Sequence, residues 1–360
     1  MNHSFETGGT ERQFVAVAGA LDSSKFRLHV GCIKAAGPLL DGFQDVAHFP
    51  VGGSLYQPQS WRMRWRLRQH LRRCNISLAH AFDFYTNLTL IPAARMAGTP
   101  VVIGSHRQIG DLLTFAQFRA LLIVFSWCDR VVCNSRAAAR NLLKHGLSPN
   151  KIVVIGNGMP STAFAASDPA LPKFPGRLRV GLIARMNARY KNHSFFLKVA
   201  ARLCAERRDV EFVLVGDGPL RNELVRQAED LKIASRVLFL GDRRDIPEVL
   251  ASLDVSVMPS SSESLSNVIL ESMAAGVPVV AARVGGNPEL VDGDRGLLFS
   301  DGDELDLLAC LRRFLSDAGL RIEIAKTARQ FAQSNFTIES IAKQYQDLYV
   351  DLLSNRRTRR

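Results

Sequence analysis

The chain has 360 residues, 47% of them apolar, enough to bury two ordinary cores and too many for a disordered polypeptide. Lys and Arg number 46 against 34 Asp and Glu, and the resulting +12 attracts anions, whether nucleotide phosphates, acidic lipid headgroups or nucleic acid. Cys32, Cys74, Cys128, Cys133, Cys204 and Cys310 form no Cys-x-x-Cys pair, and no histidines stand at zinc-ligand spacing, so reduced cytosolic thiols and no metal or bound cofactor are expected. Residues 1–10 lack a secretory leader's charged-then-apolar layout, and the longest apolar run, 112–125, is interrupted by Gln117 and Arg119, short of a bilayer span.

Strand-like apolar runs alternate with amphipathic segments of helical length, the pattern of a doubly wound α/β protein with parallel sheets. A first helix reads at 11–21, directly after Gly8 and Gly9, with no strand before it, so the first domain reads as lacking its first strand. Strands follow at 26–33, 76–82, 100–103, 130–133 and 151–155, with helices at 57–73 and 136–145. From 157 to 176 the text (NGMPSTAFAASDPALPKFPG) carries breakers and no apolar period, which marks 161–176 as a linker between a first domain, 1–160, and a second, 177–335. The second domain restarts with strands at 178–183, 211–215, 237–240, 255–258, 278–281 and 296–299. In a last helix, 338–353, Ile341, Tyr345, Leu348 and Leu352 recur at helical spacing, and 355–360 reads as a frayed basic tail.

Residues 259–278, PSSSESLSNVILESMAAGVP, carry the most chemistry. A buried strand, a Ser/Asn-rich turn and a helix opening near Ser266 make an anion site, because free N–H groups meet the positive end of the helix dipole, worth about 0.3–1 kcal/mol per charge at exposed positions. A diphosphate fits over Ser264, Leu265, Ser266 and Asn267. At about 100° per residue, Val268, Ile269, Leu270, Met273 and Ala274 form the apolar stripe and Glu271 falls beside it. Glu271, about 6 Å along the axis from Asn267, suits ribose hydroxyls, and Glu263 in the turn points at whatever the phosphate carries. Taken alone, the pair of glutamates also fits a capped helix with two surface carboxylates.

With AAGVPVV and VGGNPEL behind it, ESLSNVILE resembles the two-glutamate signature of glycosyltransferase family 4, retaining enzymes of the GT-B fold. The resemblance covers nearly the whole chain, through GGTERQ (8–13), IGNGM (155–159), GLIARMNARYKNH (181–193) and LVGDGPLR (214–221) in order. It implies two Rossmann-like domains facing across a cleft, the first for the acceptor, the second for a UDP- or GDP-sugar donor, with 336–360 returning to the first. It further implies that Arg185 and Lys191 neutralise the donor diphosphate, that Glu263 contacts hydroxyls of the transferred sugar and Glu271 the ribose. Ser266 and Asn267 would hold the phosphates through their backbone, with Gly216, Ser264 and Leu265 beside the donor, and Gly8 and Gly9 would let a loop approach the same phosphates. His106, in VVIGSHRQ, stands where the family places a histidine close to the reacting carbon; a turn histidine with only local hydrogen bonds is the other reading. Ser264 and Asn192 occupy positions where glycine is commoner, and the gap from Arg185 to Lys191 is one residue long. The implied reaction is front-face transfer to a saccharide or lipid-linked acceptor of cell-surface polysaccharide or glycolipid synthesis, with no metal required; a non-catalytic sugar-nucleotide-binding protein on the same fold is the alternative.

Six arginines from Arg62 to Arg73 are interleaved with Trp61, Trp65, Leu67 and Leu71. That pattern suits either contact with an anionic bilayer, at the inner face of the plasma membrane, or a helix packed on its own domain with solvated arginines. Nucleic acid is not expected as a partner, since zinc-finger, RNP-strand and helix-turn-helix cues are missing. A dinucleotide-dependent oxidoreductase is disfavoured because Arg221 stands where the third glycine of G-x-G-x-x-G would be.

Overall fold

The computed structural model describes residues 1–52 and 58–357; Gln57, expected to open the arginine-rich helix, and residues 358–360 of the basic tail lie outside the described residues. Packing divides the chain into two units, residues 1–158 with 338–360, and residues 159–337.

The first unit runs α1 (Gly9–Gly19), β1 (Val30–Cys32), β2 (Val46–His48), α2 (Pro58–Arg73), β3 (Leu78–Ala81), α3 (Phe84–Ala97), β4 (Val101–His106), α4 (Phe115–Ser126), β5 (Arg130–Cys133), α5 (Arg136–Lys144) and β6 (Ile152–Val154). Strands β3 to β6 lie side by side in chain order, and β1 pairs with β2, all parallel. Extended residues 1–5 join the two groups: the Asn2 N–H donates to the Gly31 carbonyl at 3.1 Å, and the Phe82 N–H donates to the Met1 carbonyl at 3.1 Å. These residues take the place of the first strand, which corrects the expectation that it is absent. Asn2, His3 and Ser4 make three of the five residues polar, so the segment does not register as a strand. A cavity of about 580 Å³ lies beside Met1, between residues 28–31 and 76–80.

Local signals set the helix ends. Asp83 Oδ1 accepts from the Thr86 N–H at 3.0 Å and Thr86 Oγ1 from the Asp83 N–H at 3.0 Å, a capping box that starts α3; Gly98, at φ 76°, closes it in the left-handed region. Thr114 and Gln117 make a second box at the start of α4.

The second unit runs β7 (Leu178–Ile183), α6 (His193–Glu206), β8 (Val210–Val215), α7 (Arg221–Asp230), β9 (Val237–Phe239), α8 (Ile246–Ala251), β10 (Val255–Met258), α9 (Asn267–Ala274), β11 (Val279–Ala282), α10 (Asn287–Val291), β12 (Leu297–Phe299), α11 (Glu304–Ser316) and α12 (Ala318–Asn335). Its six parallel strands stand in the order β12-β11-β10-β7-β8-β9. The central strands are buried on both faces, which is why they read as unbroken apolar runs rather than alternating ones. Residues 161–176, expected as a linker, are packed on this unit: the Ala170 N–H donates to the Glu248 carbonyl at 2.9 Å and the Leu171 N–H to Ser252 Oγ at 3.0 Å. Side-chain and loop partners replace ladder bonds there, so no periodicity shows in the sequence.

Helix α13 (Ile338–Arg357) belongs to the first unit. It continues through residues 355–357, which were expected to fray; Asn355 Nδ2 donates to Asp351 Oδ1 at 2.9 Å and Arg356 pairs with Asp129. Two apolar layers cover the sheet of this unit. Met63, Leu67, Ile91, Phe118, Phe125 and Leu142 from α2 to α5 form one, and Phe14, Ile341, Tyr345 and Tyr349 from α1 and α13 belong to the other. Half-buried His80 of β3 lies between Tyr349 Oη at 2.7 Å and Ser105 Oγ at 2.8 Å.

All three tryptophans lie in the first unit, so urea unfolding followed by tryptophan emission reads that unit alone. Tyr345→Ala is expected to lower its stability by about 3–5 kcal/mol, the range for truncating a fully buried aromatic. An unchanged midpoint would contradict the docking of α13.

Candidate functional site

The second sheet is built outward from β7 in both directions, with β8 and β9 on one side and β10, β11 and β12 on the other. Loops leaving the C-terminal ends of β7 and β10 therefore diverge, and the crevice between them is where open α/β sheets take ligands. Residues 184–192 leave β7 carrying Arg185 and Lys191; residues 259–266 leave β10 carrying Glu263 and lead into α9. Ser266 caps α9, its hydroxyl accepting from the Ile269 N–H at 3.3 Å.

Three hydrogen bonds tie the loops together. The Ser261 N–H donates to the Tyr190 carbonyl at 2.9 Å, Asn192 Nδ2 to the Pro259 carbonyl at 2.8 Å, and Lys191 Nζ to Glu263 Oε1 at 2.6 Å. The Lys191 and Glu263 side chains are only 20% and 13% exposed, so this ion pair is screened less than a surface one. Arg185 is exposed and makes no hydrogen bond or ion pair among the described residues. Ile269, Leu270, Met273 and Ala274 turn to the core, Ser264 and Leu265 are buried in the turn, and Glu271 is half-buried beside the stripe.

Two departures noted in the sequence have a backbone explanation. Asn192 adopts φ +56°, a left-handed conformation that Asn and Gly tolerate best. Ser264 is not among the residues with positive φ, so nothing there requires glycine. Gly216, just past β8, has φ +124°, and a Cβ there would stand 2.2 Å from the Ala184 carbonyl oxygen, so only glycine lets this loop close against the one carrying Arg185.

Sequence reasoning missed two supporting residues. The Gly286 N–H, at the start of α10, donates to the Glu263 carbonyl at 3.1 Å; VGGNPEL holds the glutamate's backbone. His193, opening α6, has Nε2 at 3.1 Å from the Ala184 carbonyl oxygen and no partner for Nδ1. Burial pushes its pKa down to about 4, the Ala184 carbonyl opposing.

The first unit has its own reversal, between residues 1–5 and β3. A pocket of about 220 Å³ there is lined by Thr10, Glu11, Asp83, Tyr85, His106 and Arg107, among others. His106 ends β4, is 1% exposed against Phe118 and Phe125, and has no partner for Nε2. Burial lowers its pKa to about 4, so the imidazole is neutral at pH 7. Gly8 caps α1 and Gly9 opens it. Gly8, Gly9 and His106 thus belong to the first unit, and Arg185, Lys191, Gly216, Glu263, Ser264, Leu265, Ser266, Asn267 and Glu271 to the second.

The profile of glycosyltransferase family 4 matches residues 7–162, and that of glycosyl transferases group 1 matches residues 177–317. An Escherichia coli UDP-Gal:alpha-D-GlcNAc-diphosphoundecaprenol alpha-1,3-galactosyltransferase is 28% identical over 374 aligned positions, spanning 97% of this chain and 95% of that one. The lipopolysaccharide core biosynthesis glycosyltransferase LpsE of Rhizobium meliloti is 32% identical over 236 positions, 65% of this chain and 67% of that one. Among solved structures, Anabaena Alr3699/HepE in complex with UDP superposes with a TM-score of 0.85 at 23% identity, covering 97% of this chain and 98% of that one. Two parallel-sheet domains of this kind define the GT-B glycosyltransferases, and the chain belongs to glycosyltransferase family 4.

Gly216→Ala is expected to cost about 1–3 kcal/mol through backbone strain, measurable as a lowered melting temperature by calorimetry. A second expectation concerns pH. His106 and His193 have folded pKa values near 4, below their ordinary 6.5, so between these values the unfolded chain binds more protons. Their contribution is complete above about pH 6.5 and is lost as pH falls toward 4. Urea midpoints should therefore decline from pH 6.5 to 5, and His193→Gln should flatten that decline; a flat parental profile would contradict the neutral, buried state.

Proposed function

We propose that the chain is a retaining glycosyltransferase that takes a sugar from a UDP-sugar, or a GDP-sugar, and transfers it to a saccharide or lipid-linked acceptor in cell-surface polysaccharide or glycolipid synthesis. The observation that carries this reading is the half-buried Lys191–Glu263 pair, set beside the capped start of α9 at the reversal of the second sheet. As the glycosidic bond breaks, negative charge gathers on the leaving diphosphate. Lys191, Arg185 and the N–H groups of Ser266 and Asn267 at the positive end of α9 neutralise it, with no metal required. Glu263, released from Lys191 when phosphate arrives, takes hydroxyls of the transferred sugar, and Glu271 takes those of the ribose. The acceptor attacks from the face the diphosphate leaves, and the diphosphate receives its proton. In the first unit, neutral His106 offers a hydrogen bond from the pocket that Thr10 and Glu11 line, next in the chain to Gly8 and Gly9.

The names of the relatives favour UDP over GDP, since the Escherichia coli enzyme is named for UDP-Gal and the Anabaena protein was solved with UDP. The diphosphoundecaprenol in the former's name favours a lipid-linked acceptor, and with it a place on the cytoplasmic side of a membrane. Contact with an anionic surface through α2, from Trp61 to Arg73, fits that placement. Among the described residues no helix is long and apolar enough to cross a membrane.

Lys191→Ala is expected to lower turnover of the preferred UDP-sugar by about 10²- to 10³-fold and to weaken UDP binding. Glu263→Gln should lose turnover while UDP still binds. An NMR assay of the product's anomeric configuration tests retention. Full activity in Lys191→Ala contradicts the assigned site, and UDP binding without turnover on any donor identifies the sugar-nucleotide-binding alternative.

A further inference from the structure

The net charge is not shared between the units. Residues 159–337 contain equal numbers of basic and acidic side chains, so the whole excess of 12 lies on residues 1–158 and 338–360. The nucleotide site proposed above stands in the neutral unit and does not account for that excess.

Within the first unit the positive charge is concentrated on one layer. Helices α2, α3 and α4 pack into the same core cluster, with α3 touching both of its neighbours, and their sequences contain eight arginines and no Asp or Glu. Of the bordering carboxylates, Asp83 caps α3, Asp129 pairs with Arg95 of α3 and with Arg356, and Asp111 is exposed ahead of α4.

The outer side of this layer is apolar as well as basic. Phe115 is 81% exposed and Trp61 66%, and Trp65, Met96, Ile123 and Trp127 are exposed too. On α4 the exposed set Phe115, Arg119, Ile123 and Trp127 recurs every fourth residue, a stripe facing away from buried Phe118, Leu121 and Phe125. Five of the six arginines of α2 divide into two sets. Arg64, Arg68 and Arg72 bond carbonyls of α3 at Leu88, Met96 and Ala97, and the first two lie over the rings of Trp61 and Trp65. Arg62 and Arg66 point outward and have no partner among the described residues.

We propose that the outer surface of α2, α3 and α4 seats the first unit on an anionic bilayer, with Trp61, Trp65, Phe115, Ile123 and Trp127 in the headgroup region and Arg62 and Arg66 on lipid phosphates. This rests on the membrane reading of α2 given above and extends it to two more helices. Aromatic side chains that are apolar at one end and polar at the other favour that interface, and arginines add a salt-sensitive attraction to acidic lipid. A surface for RNA would not need an exposed apolar row such as Phe115, Ile123 and Trp127 with a single cation among them.

Flotation of the full chain with phosphatidylcholine vesicles, and with vesicles that also contain phosphatidylglycerol, tests the proposal. Binding should favour the anionic vesicles at least about tenfold and weaken in high salt. The double variant R62E/R66E should lose at least about tenfold, and so should the α4 variant F115S/I123S, with circular dichroism and UDP binding unchanged in both. Equal partition onto the two vesicle types overturns the proposal, as does parental binding by either variant. RNA that displaces the protein from anionic vesicles overturns it in favour of a nucleic-acid face, and a concentration-dependent dimer abolished by F115S/I123S overturns it in favour of a second copy. Failure on vesicles with UDP binding intact leaves the donor reading standing; failure of the parent to bind UDP removes that reading and leaves the vesicle result to be judged by itself.

Discussion

In the second unit β8 and β9 are laid on one side of β7 and β10, β11 and β12 on the other, so the loops that leave β7 and β10 part company at the carboxyl edge of the sheet. Most of the proposed donor chemistry follows from that reversal. Arg185 and Lys191 are on one of these loops, Glu263 and the start of α9 on the other, and hydrogen bonds from the Ser261 N–H to Tyr190 and from the Asn192 side chain to Pro259 keep the two in register. The first unit repeats the arrangement with residues 1–5 and β3, and His106 sits in the pocket that results. Neither arrangement depends on a long loop; each is a by-product of how a parallel sheet is assembled from its middle.

What could be read from the sequence follows burial. β5, β7 and β10 were delimited to the residue because strands covered on both faces are unbroken apolar runs with polar neighbours. β2 was missed: its three residues, Val46, Ala47 and His48, are partly exposed and too few to set a period. The first strand was missed for a related reason, since only Asn2 forms a bridge and the remaining contacts are single backbone bonds through Met1, His3 and Phe5. Residues 161–176 were taken for a linker because Pro and Ser remove periodicity, and their attachment runs through bonds to Glu248 and Ser252 far along the chain. In the site, the residue types and their order were legible, but the pairing of Lys191 with Glu263 was not, because it joins loops more than seventy positions apart. The supporting bond from Gly286 is likewise a product of the fold.

The composition had offered three explanations for the positive charge, and its distribution separates them. The nucleotide site proposed for the second unit would work with local cations in a unit that is balanced overall, and so would need no long-range field from the rest of the chain. The excess lies instead with α2 and its neighbours, among exposed aromatic side chains. The two proposals thus describe two kinds of anion recognition: a compact one, built from two cations and a helix start, and a diffuse one, spread over a helical layer.

The Lys191–Glu263 bond also bears on traffic through the site. Any phosphate that claims Lys191 must strand a half-buried carboxylate, which is costly unless something else satisfies it. A sugar attached to the phosphate supplies hydroxyls for Glu263; inorganic phosphate and other common cellular anions do not. In the proposed reaction the same asymmetry acts again after transfer. The spent nucleotide no longer carries a sugar, Glu263 regains its claim on Lys191, and the carboxylate becomes an internal competitor that helps expel the product. One ion pair would then act as gatekeeper on entry and as displacing group on exit.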